Sequence, residues 1–260
     1  MTGARSTFGV HALALTACAA ALTARADPAA LPAPRDRLRF IVQQQCLPHW
    51  RAAHDPAPCV SVAADGRGLE PQGYALLADR KGGAHFLLIP TQTIAGVESP
   101  ELRAPGALNF FDTAWQSREV LSGILGRAVP RTAVALAVNQ RRSRSQDQLH
   151  IHISCVRAEV ARALRSQTDA IGSEWSAIEI DGYRYEAMRI MGERLSRANP
   201  FELLAGGLPG AAESMEQYTM LLSGMDFKEG PGFVLVAGSA VPGAELLLDA
   251  GCGIVGRGTN

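Results

Sequence analysis

From Gln148 to Cys155 the chain reads QLHIHISC, with polar and apolar residues in strict alternation. Side chains on a β-strand point to its two faces in turn, so a period of two marks a strand, and a helix would scatter the same residues around its axis. Leu149, Ile151, Ile153 and Cys155 then share a face directed into a core, while Gln148, His150, His152 and Ser154 share the other. This run constrains the fold more than any other. It requires a sheet with an apolar layer on one side and neighbours that accept two imidazoles on the other.

The rest of the chain supplies partners for such a sheet. Gly73 to Ala78 and Ala84 to Ile89 read as strands of an antiparallel hairpin around the polar turn Asp79-Arg80-Lys81-Gly82-Gly83. Thr132 to Asn139 is an apolar strand, and the Arg/Ser/Gln-rich stretch from Gln140 to Gln148 joins it to the His-containing one. Alternation continues over Ala177 to Tyr185, and Phe233 to Ala237 is a further strand. Helices are expected from near Arg35, carrying Leu38, Phe40 and Ile41, over Leu108 to about Leu125, and around Gly210 to Leu222. The second shows the i, i+4 pairs Phe111/Trp115 and Leu121/Leu125. Hairpin-joined strands with few helices predict an α+β fold with a mostly antiparallel sheet and flanking helices, as one domain over residues 35–260.

Charge and cysteines place that domain. The 25 basic and 25 acidic side chains balance, which argues against a nucleic-acid binder. Residues 1–26 contain no acidic residue, carry Arg5 early, run apolar from Val10 to Ala24 and end in Ala24-Arg25-Ala26. That is the pattern of a secretory signal. Cleavage, retention as a membrane anchor, and lipidation at Leu15-Thr16-Ala17-Cys18 are its three outcomes, and each puts the folded part outside the cytosol. An Ala/Pro linker, residues 27–34, follows. Cys46, Cys59, Cys155 and Cys252 remain, and four cysteines allow three pairings. Cys46 and Cys59 flank a short Pro-rich loop, where a local disulfide would pin a segment too small for its own core; Cys155 with Cys252 would then tie the tail to a central strand. Free buried thiols are the alternative. Disulfides persist in oxidising compartments such as the periplasm.

The chemistry centres on His150 and His152. Residues i and i+2 on a strand are about 6.5–7 Å apart, a spacing that lets two imidazoles address one phosphoryl group. A neutral imidazole is a competent nucleophile near neutral pH, and a covalent adduct splits one hard displacement into two easier ones. A zinc site would need a third protein ligand, and the sequence offers no obvious one beside the pair. Two satisfied polar residues on a strand face are the remaining alternative. The Arg141, Arg142 and Arg144 loop serves equally as a phosphate-holding or a solvated segment. Trp50, Trp115 and Trp175 read as core residues, and Gly206-Gly207-Leu208-Pro209-Gly210 as a loop before a helix.

The run QLHIHISC resembles the His-φ-His-φ-His-φ-φ motif of the histidine-triad (HIT) superfamily, with φ apolar. HFLLIPTQTI, His85 to Ile94, resembles that superfamily's strand and loop before the nucleotide pocket. More specifically, the chain resembles the bacterial CDP-diacylglycerol pyrophosphatase family. The residues that carry this are CLP at 46–48, PAPC at 56–59, LLIPT and GVESPEL within 87–102, NFFDTAWQSRE at 109–119, VALAVN at 134–139 and HIHISCVR at 150–157. The resemblance implies a HIT-like fold and hydrolysis of CDP-diacylglycerol to CMP and phosphatidate at the periplasmic face of the bacterial inner membrane, with no cofactor or metal. It implies His150 as nucleophile, His152 as a hydrogen-bond donor to phosphate or an aid to the leaving group, and Asn139 and Ser145 as phosphate contacts. Gln148 stands where the motif has its first His, whose part is to orient the nucleophilic ring. Glutamine can donate or accept a hydrogen bond but cannot share a proton. Activity is therefore expected to survive, with a non-catalytic binder of nucleotide or nucleotide-lipid, or a hydrolase of soluble nucleotide diphosphate esters, as alternatives.

Overall fold

The structure, a computed structural model, describes residues 1–3, 32–63 and 73–256. Residues 4–26 of the expected signal segment and 27–31 of the linker fall outside the described residues.

Among the described residues, ten strands form one antiparallel sheet. They are β1 (Ser61–Ala63), β2 (Tyr74–Ala78), β3 (His85–Pro90), β4 (Val134–Val138), β5 (Ile151–Val156), β6 (Ser176–Ile180), β7 (Tyr183–Met191), β8 (Thr219–Phe227), β9 (Gly230–Gly238) and the short β10 (Leu248–Asp249). Their order across the sheet is β1-β2-β3-β5-β4-β8-β9-β7-β6. β10 pairs with the end of β5, placing Asp249 opposite Cys155. The mostly antiparallel α+β architecture expected from the sequence is thus present, and the His-containing strand lies near the middle of the sheet.

One face carries the largest core. Leu88, Leu136, Ile151, Ile153, Leu222 and Phe233 pack there under α3 (Phe110–Gln116), α4 (Val120–Leu125) and α6 (Pro200–Gly207). The Asn109 side chain caps α3 by accepting from the Asp112 N–H, a standard way to satisfy an orphan donor at a helix start. A 3₁₀ turn at Ser117–Glu119 separates α3 from α4 inside the single expected helix. Trp115 is fully buried in this layer and donates its ring N–H to the Glu193 carbonyl.

The opposite face is covered in two pieces. α1 (Arg37–Ile41), a π turn (Val42–Cys46) and α2 (Leu47–Ala53) lay Leu38, Val42 and Leu47 over Ala75, Leu87 and Ile89 of β2 and β3. α5 (Ala158–Ser166) sets Val160 and Leu164 against Ala135, Ala137, Leu221 and Val236. Between these two apolar clusters lies the polar side of β5.

The helix expected around Gly210–Leu222 is not there. Met215–Gln217 is a single 3₁₀ turn, and Thr219–Phe227 is a strand between β4 and β9. Thr219 to Met225 is buried at every position. A near-continuous apolar run carries no periodicity with which to tell helix from strand, and pairing on both edges decided the matter. The nearby helix is α6, ten residues earlier, started by the Asn199 cap and Pro200 at its first turn. Gly206 and Gly207 therefore belong to the end of a helix, not to a loop that opens one.

Both expected disulfides are present. Cys46–Cys59 spans a Cα separation of 5.7 Å and ties the N-terminal helices to the segment leading into β1. Cys155–Cys252 spans 5.1 Å and clasps the C-terminal turn to β5.

Candidate active site

Strand register assembles the site. His152 on β5 lies between Leu87 of β3 and Ala137 of β4, and Ser154 lies between His85 and Ala135. His85, His152 and Ser154 therefore share one face, together with His150 two residues earlier. Ala135 and Ala137 are small, which leaves room beside the imidazoles. Continuing the β4–β5 register by two residues sets Asn139 beside His150.

The three rings form a row. The centroids of His150 and His152 are 5.0 Å apart, as are those of His152 and His85. His150 Nδ1 is 2.7 Å from the backbone carbonyl oxygen of Gln148. A carbonyl only accepts, so Nδ1 holds the ring proton and Nε2 is left with a lone pair. Burial, the largest influence, lowers the pKa of His150 and keeps the ring neutral. It lowers that of His152 well below the usual value, helped by the two neighbouring imidazoles, and lowers that of His85 as well.

His152 Nδ1 lies 2.9 Å from His85 Nε2. Its Nε2 is buried without a hydrogen-bond partner, 3.7 Å from Glu245 Oε2. Glu245 is presented by the turn Ala244–Leu247, where its N–H donates to Asn139 Oδ1 at 3.3 Å. Lys81 Nζ reaches the same Glu245 oxygen at 3.4 Å. Asn139 thus links the end of β4 to the carboxylate that faces His152.

The sequence reading found no third metal ligand for the His pair. The fold brings two candidates: Asp79, His85 and His152 each offer a ligand atom within 4.8 Å of one another. Two imidazoles and a carboxylate are a known zinc donor set, although a cation here would have to displace the hydrogen bond between the two rings.

The remaining expected residues divide. Gln148 is buried, and its Nε2 donates to the carbonyls of Pro90 and Gln92 at 3.0 and 2.7 Å. It is the Gln148 backbone carbonyl, not its side chain, that holds the His150 ring, so the orientation expected from the side chain is corrected to the main chain. Arg144 is also buried. It makes a bidentate pair with Glu98, 2.7 Å to each oxygen, and contacts Asp147 at 3.3 Å. It crosses Gly96 so closely that a Cβ there would lie 1.9 Å from its Nη1, so a larger residue at 96 would push the guanidinium from its place. Arg144 is therefore committed to holding the loop, while Arg141 and Arg142 are exposed, with Arg142 donating to the Ser239 carbonyl at 3.2 Å. These two line a cleft of about 490 Å³ with Gln140, Glu216, Gln217 and Ser239. The cleft does not include the imidazoles; it begins one residue beyond Asn139, on the same strand end. Ser145 is exposed on the loop, and among the described residues no contact joins it to the rings.

His85 is the functional candidate that the sequence did not single out. It appeared there only within the strand Ala84 to Ile89 and as the start of the run HFLLIPTQTI, with no role of its own; its neighbour across the sheet is set by register, which no local pattern encodes.

The family model described as CDP-diacylglycerol pyrophosphatase matches residues 33–256. A CDP-diacylglycerol pyrophosphatase from Yersinia pestis is 37% identical over 207 residues, which cover 79% of this chain and 77% of that protein. The matched span includes His150, the strand bearing His152, the partner strand bearing His85, and both disulfides, and by it the chain belongs to the CDP-diacylglycerol pyrophosphatase family.

Proposed function

We propose that the chain hydrolyses CDP-diacylglycerol to CMP and phosphatidate, the reaction for which its family is named, with His150 as the nucleophile. The observation that carries the assignment is the 2.7 Å contact between His150 Nδ1 and the Gln148 carbonyl. It leaves the Nε2 lone pair free in a ring kept neutral by burial. Nε2 attacks the cytidine-side phosphorus, the bridging P–O bond breaks, and phosphatidate departs with the electron pair. The ring gains positive charge in this step, and the carbonyl oxygen against Nδ1–H stabilises it. Water then attacks the same phosphorus. The P–N bond breaks, its electrons return to Nε2, CMP leaves and a water proton passes to solvent.

His152 faces the same side of the sheet and supplies a hydrogen bond to the phosphoryl oxygens. The Asn139 amide nitrogen and Ser145 are further phosphate contacts on this reading, with Arg141 and Arg142 balancing the charge of the pyrophosphate. The carbonyl contact also bears on the missing first histidine. Any residue at position 148 keeps its carbonyl, which supports an active enzyme over a degenerate binder.

The two disulfides fit an oxidising compartment, and the substrate's acyl chains belong in a bilayer. The protein acts on this reading as an exported enzyme at the periplasmic surface of the bacterial inner membrane. Rapid quench of the protein turning over CDP-diacylglycerol, followed by mass spectrometry, tests the chemistry. A cytidylyl group on His150 is expected, and a label on another residue would remove His150 from the nucleophile's role.

A further inference from the structure

The β2–β3 hairpin ends beside the imidazoles, and its register fixes what it brings there. Ala78 pairs with Phe86, and one position further the Asp79 N–H donates to the His85 carbonyl at 2.9 Å. Asp79 therefore stands across from His85, on the face that also carries His152. The three side chains converge, each offering a ligand atom within 4.8 Å of the other two. His85 Nε2 and His152 Nδ1 are 2.9 Å apart. Two imidazole nitrogens bound to one tetrahedral zinc at about 2.0–2.1 Å lie about 3.3 Å apart, so the rings need to open by only a few tenths of an ångström. The Asp79 carboxylate is already oriented by the Lys81 N–H, which it accepts at 2.7 Å.

A second observation lies outside these three residues. A metal-ligating histidine characteristically gives its other ring N–H to a carboxylate, a carbonyl or water. With His152 bound through Nδ1, that other nitrogen is Nε2, which is buried without a partner and stands 3.7 Å from Glu245 Oε2. Glu245 is itself held, by its N–H to Asn139 Oδ1 at 3.3 Å and by Lys81 Nζ at 3.4 Å. The far side of the ligating ring is thus already provided for. The donor set also selects the ion. Two imidazoles and a carboxylate suit zinc and leave its fourth position to water, whereas magnesium and calcium call for oxygen ligands. Asp79 is half-buried at the start of the exposed turn 80–83, which gives an ion a route in from solvent.

We propose that Asp79, His85 and His152 form a zinc site through which the ion inhibits the enzyme. Zinc replaces the hydrogen bond between the two rings. The proton shared in that bond moves to the outer nitrogen of the ring that carries it, so both facing nitrogens present lone pairs and both rings stay neutral. The ion then sits one ring beyond the nucleophile, since the centroids of His150 and His152 are 5.0 Å apart. His150 gains positive charge as it attacks, and a dication so close opposes that charge in a water-poor setting. An anionic substrate is not repelled, so the loss falls on the chemical step and not on binding. The inhibition rests on the reading of His150 as nucleophile; the site itself rests on the three ligands, and the reaction does not use the ion.

The test uses the full chain, freed of metal by chelation, as wild type, Asp79→Asn and Glu245→Gln. Zinc binding is measured by titration calorimetry, and cobalt(II) in place of zinc reports a four-coordinate site by its visible absorption. Glu245→Gln is expected to weaken zinc about 10- to 100-fold, as loss of an outer partner does, and Asp79→Asn, which keeps an oxygen for the Lys81 N–H, at least as much. His49 and His54 are exposed on α2, and zinc held there would be indifferent to both substitutions. CMP release is then compared with and without zinc for each protein, so that any metal-free loss cancels. Saturating zinc is expected to lower wild-type kcat at least about 10-fold without raising KM, and Asp79→Asn to resist the same zinc concentration. Absence of zinc binding, wild-type affinity in Asp79→Asn, or bound zinc that leaves kcat unchanged or raises it would each overturn the proposal. Should another residue prove to be the nucleophile, the titration and the cobalt spectrum still decide the site, so the two readings fail separately.

Discussion

The two faces of β5 are equally dry and chemically opposite. Ile151, Ile153 and Cys155 are 0% exposed under α3, while His152 and Ser154 on the other side, and His150 just before the strand, are 3%, 0% and 8% exposed. Burial alone therefore does not make the site. What differs is satisfaction. Apolar side chains are stabilised simply by leaving water, but a buried polar atom needs a partner or costs free energy. Ser154 finds the Ala84 carbonyl, His150 Nδ1 the Gln148 carbonyl, and His152 Nδ1 the His85 ring. One buried ring nitrogen, His152 Nε2, finds nothing. The apolar face is complete without a ligand; the polar face is not.

The sharpest contrast comes from changing one residue on each face. His150→Ala is expected to reduce CMP release by at least about 10³-fold, the scale of losing a covalent nucleophile, while thermal unfolding stays close to wild type. A milder loss would mean that the polar face binds but does not react. Ile153→Ala, one strand position from His152, is expected to do the reverse. It opens a cavity in the main core and costs about 2–5 kcal/mol in denaturant unfolding, with kcat per folded molecule nearly unchanged.

Gln148→Ala lies between these extremes. It deletes the hydrogen bonds to the Pro90 and Gln92 carbonyls, for an expected loss of about 1–3 kcal/mol in stability. It keeps the backbone carbonyl that orients His150, so kcat should fall less than about 10-fold. A loss as large as that of His150→Ala would show that the side chain, not the main chain, does the orienting.

The smallest effects are in pH. The buried imidazoles have pKa values below the ordinary one in the folded protein. The unfolded chain therefore takes up protons first as pH drops below about 6.5, and stability is full above that pH and declines below it. Asp147 behaves as a depressed carboxylate on the loop side. Held to about 2, mainly by its hydrogen bond from Arg35, it contributes stability that is present above pH 3.8 and lost as pH falls toward 2. Titration of unfolding free energy should resolve two declines, and Asp147→Asn should remove only the lower one.

Much of this was legible in the chain. The alternation at 148–155 marked a strand, seen at Ile151–Val156, its two faces and the candidate pair His150/His152, because period two is a local property of extended backbone. The β2–β3 hairpin and the local cysteine pair followed from short separations in the same way. Thr219–Phe227 escaped because a run buried at nearly every position has no polar side to mark its period. Arg144 appeared with Arg141 and Arg142 as one loop of cations; only its approach to Glu98, 46 residues away, separates the clamp from the two exposed ones.

The sequence by itself determined that this chain has a half-polar strand with two imidazoles two residues apart on one face. Only the tertiary structure decided that His85 stands against His152, that a main-chain carbonyl holds His150, and that Glu245 faces the unsatisfied Nε2 of His152. The physical reason is that side-chain direction along a strand is set by local geometry, whereas register between strands, and with it every contact across the site, is set by how the two faces of the whole sheet are buried.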